Sequence, residues 1–150
     1  MIGRVESLWK AVDVAHATGG KMLGNWDATG VSIDSRTLQS GDLFIALRGP
    51  NFDGHSYVHD AIRRGASASL VSHRPEGVSA GAPLLKVTDT LASLKKLGIA
   101  GRNRANGRII AVTGSVGKTS VKEALAKLLS RQGTVTYRLD SLNNHYGVPH

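Results

Sequence analysis

The sequence contains no cysteine, which excludes disulfides and thiolate metal sites and fits a cytoplasmic protein. No apolar run approaches the ~18 residues that a membrane-crossing helix needs, so no spanning segment is expected. The opening "MIGRVESLWKAV" has neither a long apolar core nor a small-residue cleavage site, so it does not read as a secretory signal. Aromatics are scarce, with two Trp, three Tyr and two Phe in 150 residues. They are scattered rather than interleaved with the basic clusters at 63–64, 95–96 and 102–104, which argues against a stacking platform for single-stranded nucleic acid. Acidic side chains are few, 11 against 19 Lys and Arg, for a formal net charge of +8. That balance favours anionic partners: nucleotides, phosphorylated metabolites, nucleic acid or acidic surfaces. The plainer readings are a solvated basic surface or a basic nucleic-acid module.

What is present reads as alternating helices and strands. The length suits one ordinary domain, or a small one plus part of another. "SLWKAVDVAHATGG" reads as a helix with Ser7 as N-cap, Leu8, Val12 and Ala15 on one face, and Gly19-Gly20 as its stop. "TGVSIDSRTLQSGDLFIAL" reads as two short strands around a turn at 39–42, with Val31 and Ile33 alternating and an apolar run from Leu43 to Leu47. After the loop "RGPNFDGH", a helix is expected from a cap at Ser56 to a stop at Gly65, then a strand in "ASASLVS". "HRPEGVSAGAP" is a loop, "LLKV" a strand, and "DTLASLKKLGIAGRNRAN" a helix started by Asp89 or Thr90 with Leu91, Leu94 and Leu97 as its stripe. From Arg108 a new unit is expected: a buried strand "IIAV", a glycine loop, a helix, and a strand near 135–137. A single strand–helix–strand unit leaves a sheet face and both edges uncovered, so the chain looks cut short.

The glycine loop carries the sharpest chemistry. It runs Thr113-Gly114-Ser115-Val116-Gly117-Lys118-Thr119-Ser120, and it lacks the leading glycine of the common phosphate-loop pattern, since position 112 is Val. A loop entering a helix N-terminus points free amides outward, where the helix dipole favours an anion. Gly114 and Gly117 permit unusual backbone angles and close approach. Lys118 can reach β- and γ-phosphate oxygens, and the Thr119 hydroxyl can ligate Mg²⁺. Val121, Ala124, Leu125, Leu128 and Leu129 fall at helical spacing behind it. The bland alternative is a turn that merely ends a strand.

"TGSVGKTS" resembles the phosphate loop of the Mur ligase family, which has no extra leading glycine. "DSR", "GDLFIAL", "DGH" and "AIRRGA" are similar to recurring pieces of that family's N-terminal domain. The resemblance runs from about residue 29 to 149. It implies an α/β fold: a small N-terminal UDP-binding domain at 1–88, then at 89–150 a linking helix and the first strand–P-loop–helix–strand unit of a truncated ATPase domain. It also implies ATP and Mg²⁺ as cofactors, with Gly114 to Ser120 holding ATP, Lys118 and Thr119 as catalytic groups, and Thr119 on the metal. Ile33, Ser35, Asn51 and Phe52 would line a uridine pocket, with Arg36 either on the diphosphate or in an ion pair with Asp34 or Asp53. Asn143 and Asn144 would sit near nucleotide and substrate. The closing "NNHYGVP" is similar to the loop of the member whose amine substrate is D-alanyl-D-alanine, rather than the member adding the third residue. In the family, phosphorylation of a UDP-N-acetylmuramoyl-peptide carboxylate gives an acyl phosphate that an amine attacks. The remaining catalytic elements of the central and C-terminal domains, including the acidic Mg²⁺ ligand and a carbamylated lysine, have no counterpart in these 150 residues.

Other readings stay beside these. "DSR" by itself is a turn with an Asx-type hydrogen bond, Asp53-Gly54 is an ordinary turn signal, and Phe52 could be plain core. Asn143-Asn144 could be a strand-exit turn. His55 and His59 are four apart, a spacing that would put two metal ligands on one helix face, but no third ligand is evident.

Overall fold

The computed structural model describes residues 7–137. Its centre is a five-stranded sheet built from Lys21–Leu23 (β2), Gly30–Ser32 (β4), Asp42–Ile45 (β5), Ala68–Val71 (β6) and Leu84–Lys86 (β7), in the order β2-β7-β6-β5-β4. β4 to β7 run parallel, and β2 closes one edge antiparallel to β7. Trp9–Lys10 (β1) and Asp27–Ala28 (β3) pair as a separate two-stranded ribbon. The helices are Ala11–Thr18 (α1), Val58–Arg63 (α2), Thr90–Arg104 (α3) and Lys118–Leu129 (α4).

The central strands are buried on both faces, which explains why they read as apolar runs rather than as alternation. Leu43, Ile45, Ala68, Leu70 and Leu85 face one layer, where Val14 of α1 and Leu94 and Leu97 of α3 meet them. Phe44, Val71 and Leu84 face the other, against Val58 and Ala61 of α2. Two helical layers therefore sandwich the sheet. Asp89 caps α3 by accepting the Ala92 N–H at 2.9 Å. Lys96 reaches the carbonyl of Thr18 at 3.2 Å, placing a cation at the C-terminal end of α1.

Three expectations need correction. The first helix starts at Ala11, because Trp9–Lys10 is held straight by pairing with Asp27–Ala28. Its buried face is Ala11, Val14 and Thr18, while Leu8 and Val12 are exposed. The turn expected at 39–42 forms, with the Asp42 N–H donating to Gln39 O at 3.1 Å, and the strands on either side of "DSRTLQSG" pair in parallel. Asp53, rather than Ser56, caps the 3-10 turn Gly54–Tyr57 that leads into α2.

The third correction is the largest. Neither "IIAV" nor 135–137 forms a strand, and Ile109 and Ile110 are 61% and 56% exposed. A strand exists through its neighbours' hydrogen bonds, and no described strand pairs with either segment. α4 forms as expected, but Val121 and Leu128 on its apolar side face solvent and only Ala126 is buried.

Candidate functional site

The four parallel strands all end at the same sheet edge, where ligands of open α/β sheets bind. β4 exits into Ile33 to Arg36, β5 into the loop 46–53, and β6 into Ser72 and His73. The topology thus brings Ile33, Ser35, Arg36, Asn51 and Phe52 to one edge of the sheet. Asn143 and Asn144 lie outside the described residues.

Around Asp34 the local geometry is an Asx turn, with Oδ1 accepting the Arg36 N–H at 2.9 Å. The Arg36 guanidinium grips the same carboxylate through Nε (2.9 Å) and Nη2 (2.6 Å). These bonds, the guanidinium's foremost, hold the Asp34 carboxyl down to about 2. Arg36 is therefore in its ion pair with Asp34, and Ser35 is buried beside it. Phe52 is 48% exposed and so is not core. Its ring lies on Gly49, where a Cβ would come within 2.3 Å of it. The loop base is pinned by the Gly49 N–H to Phe52 O bond and the Arg48–Asp53 bridge, leaving Asn51 at the exposed tip.

Sequence reasoning missed the group beneath this loop. His55 is buried, and its Nδ1 lies 2.6 Å from Asp53 Oδ1. Its Nε2 accepts the Ser72 backbone N–H at 2.9 Å, and the Ser72 hydroxyl lies 3.0 Å away. His73 stacks on the ring at 4.3 Å. Asp53 also accepts the His55 backbone N–H, which, with the ring bond and Arg48, lowers its carboxyl below the usual range. Both ring nitrogens are committed, so the His55–His59 metal reading does not hold; among the described residues no group of three His, Cys, Asp or Glu could hold a metal. The DGH triplet was visible in sequence, but its partner lies 17 residues on.

The glycine loop is a second, separate feature. Gly117 adopts φ 76° immediately before α4, a left-handed angle that a side chain would strain, and no side chain caps the helix. The first ladder bond is Val121 N–H to Gly117 O, so the amides of Lys118, Thr119 and Ser120 precede the ladder. The first turn carries no acidic residue. Lys118 folds back to donate to the Gly114 carbonyl. Ser115, Val116, Thr119 and Ser120 are exposed. An uncapped, glycine-opened helix N-terminus with a lysine at its mouth is a receptor for an anion.

The fold is that of a mixed α/β protein built on a mainly parallel sheet. The model of the Mur ligase family, catalytic domain, matches residues 27–132. The chain belongs to the Mur ligase family. It is 44% identical over 119 residues to the UDP-N-acetylmuramoyl-tripeptide–D-alanyl-D-alanine ligase of Escherichia coli, covering 79% of this chain and 26% of that one. It is 35% identical over 123 residues to a UDP-N-acetylmuramoyl-L-alanyl-D-glutamate–2,6-diaminopimelate ligase of Bacteroides thetaiotaomicron, covering 81% of this chain and 25% of that one. A solved D-alanyl-D-alanyl-adding ligase from Acinetobacter baumannii superposes with TM-score 0.80 at 34% identity, covering 99% of this chain and 34% of that one. A MurF ligase from Thermotoga maritima in complex with ADP gives 0.63 at 31% identity, covering 79% and 27%. The chain thus spans about a quarter to a third of the length of these relatives. Among the described residues no helix is long and apolar enough to cross a membrane.

Proposed function

We propose that the chain is the N-terminal part of an ATP-dependent ligase that joins D-alanyl-D-alanine to UDP-N-acetylmuramoyl-tripeptide in cytoplasmic cell-wall precursor synthesis. Residues 1–88 take the UDP end of the substrate, and 89–150 link to and open the ATP-binding domain. One observation carries the reading: a single chain holds both a strand edge presenting Ser35, Arg36, Asn51 and Phe52 and an open helix N-terminus behind Gly117-Lys118-Thr119. A carboxylate is a poor electrophile at neutral pH, and ATP supplies the phosphoryl group that turns it into an acyl phosphate. The amine of D-alanyl-D-alanine then displaces phosphate.

The residues present fit that nucleotide. The amides of 118–120, which precede the helix ladder, would donate to phosphate oxygens, and Lys118 would give up its bond to Gly114 O for one to a phosphate. The exposed Thr119 hydroxyl would offer one oxygen ligand to Mg²⁺, a cation that takes oxygen donors and would offset phosphate charge. These 150 residues alone lack the remaining catalytic elements, so ligation belongs to the longer protein.

Calorimetry of the longer protein with UDP-N-acetylmuramoyl-tripeptide tests the substrate half: saturable binding weakened by Ser35→Ala is expected, and no binding at all refutes it. An amine screen of the longer protein tests the rest. Phosphate release with D-alanyl-D-alanine is expected. Release with 2,6-diaminopimelate instead moves the assignment to the third-residue-adding reading that the Bacteroides relative favours.

A further inference from the structure

We propose that His55 is a positioning residue for the nucleotide end of the substrate: by bridging Asp53 to Ser72 it fixes the loop that presents Asn51 and Phe52. The ligand half of this proposal rests on the function proposed above; the positioning half rests on geometry alone.

Because Nε2 accepts the Ser72 backbone N–H, it carries no proton, so in the neutral ring Nδ1 is the protonated nitrogen and donates to Asp53. One buried imidazole therefore ties the exit of β5 to the exit of its parallel neighbour β6. The tie acts on a loop with little freedom. Gly54 N–H donates to Leu47 O at 2.7 Å, and a Cβ at 54 would come within 2.6 Å of that oxygen. Leu47 lies at the start of the loop and Gly54 just past its end, so the base is closed. Beyond the Gly49 N–H to Phe52 O bond within the loop, Asp53 is the residue through which it is tied to His55. Without His55, Asp53 keeps its distant contact with Arg48 (3.9 Å) but loses its link to β6. The part-buried Ser72 N–H is then left without its acceptor.

The ring is not a nucleophile's base. Its acceptor nitrogen is occupied by a backbone amide, and the Ser72 hydroxyl is shared between His55 and His73. Among the described residues no hydrogen bond or ring contact joins it to Asn51 or Phe52, and its effect passes through Asp53.

The test uses three variants, two ligands and one exchange measurement. His55→Ala should weaken UDP binding at least tenfold while leaving Mg·ATP binding unchanged. His55→Gln, whose amide oxygen can reach the Ser72 N–H, should recover most of that loss. His55→Asn, which is too short for Ser72, should not. Amide exchange in His55→Ala should speed up at Gly49 and Ser72 and leave α3 as protected as in the wild type. Equal losses for UDP and ATP, or equal recovery by Gln and Asn, would mean a general structural role and overturn the proposal. Unchanged exchange at Gly49 and Ser72 overturns the positioning half whatever the ligands do. If the wild-type longer protein binds no uridine nucleotide, the function proposed above and the ligand half fall together, and exchange still decides the positioning half.

Discussion

Two apolar runs in this chain look alike on paper and end differently. "LFIAL" at 43–47 supplies the apolar part of the central strand β5 and is buried throughout, while "IIAV" at 109–112 forms no strand and is largely exposed. Their composition does not separate them. The first has parallel neighbours on both edges and a helical layer on each face; the second has no described partner. An apolar run states a demand for burial, and whether it is met depends on what else is in reach.

The difference predicts where substitutions matter. Leu70→Ala, in β6 and fully buried, should cost about 2–5 kcal/mol through lost transfer energy and the cavity left behind. Leu128→Ala, 61% exposed on α4, should change stability by less than about 0.5 kcal/mol. Urea unfolding followed by circular dichroism measures both. Equal costs would show that α4 is packed in solution and would break the comparison.

Glycines sharpen the same contrast. Gly54→Ala drives a methyl into the Leu47 backbone and should destabilise by about 1–3 kcal/mol, seen as a lowered urea midpoint. At Gly117 nothing lies within 4 Å of an added Cβ, so the cost there is backbone strain alone, about 1–2 kcal/mol. That strain should unwind the first turn of α4, visible as faster amide exchange there, while the urea midpoint stays put.

The same distinction governs how far the sequence could be read. β5, β6, β7 and α3 were legible because each carries its own signal: a buried run bounded by turns, or a leucine stripe behind an Asp cap. β1, β2 and β3 are two or three residues long and owe their existence to partners. Trp9–Lys10 shows this, since its neighbours suit a helix and Asp27–Ala28 overrides them. At the site, residues contiguous in a motif were found by their motif: Gly117-Lys118-Thr119 at a helix start, and Asp34 with Arg36 in a turn. The His55–Ser72 bond joins two strand exits 17 residues apart, and no local spacing announces it.

Lys118 should matter for ligand and hardly at all for the fold, since among the described residues its ammonium donates back into its own loop, to Gly114 O. Lys118→Ala is expected to weaken Mg·ATP binding at least tenfold, about 1.4 kcal/mol or more, with the melting temperature unchanged. Calorimetry and a thermal melt on the same sample decide it. A drop in melting temperature comparable to that of Leu70→Ala would place Lys118 in the packed unit.

The smallest effect belongs to the ion pair at the strand edge. Asp34 titrates at about 2 when folded against 3.8 free, so its pair stabilises the fold above pH 4 and is lost as pH falls from about 4 to 2. Arg36 is 83% exposed and the Asp34 side chain 35%, so water screens the pair and about 0.5 kcal/mol is the scale to expect. Other carboxylates also respond to acid, so the informative quantity is the gap between wild type and Asp34→Asn. That gap should be about 0.5 kcal/mol at pH 6 and close to zero at pH 2, and it should shrink in high salt because exposed charges are screened. A gap that persists at pH 2 would show that the stability does not come from the charge, since an asparagine oxygen can still accept the Arg36 N–H and so keeps the Asx turn, but cannot pair with the guanidinium.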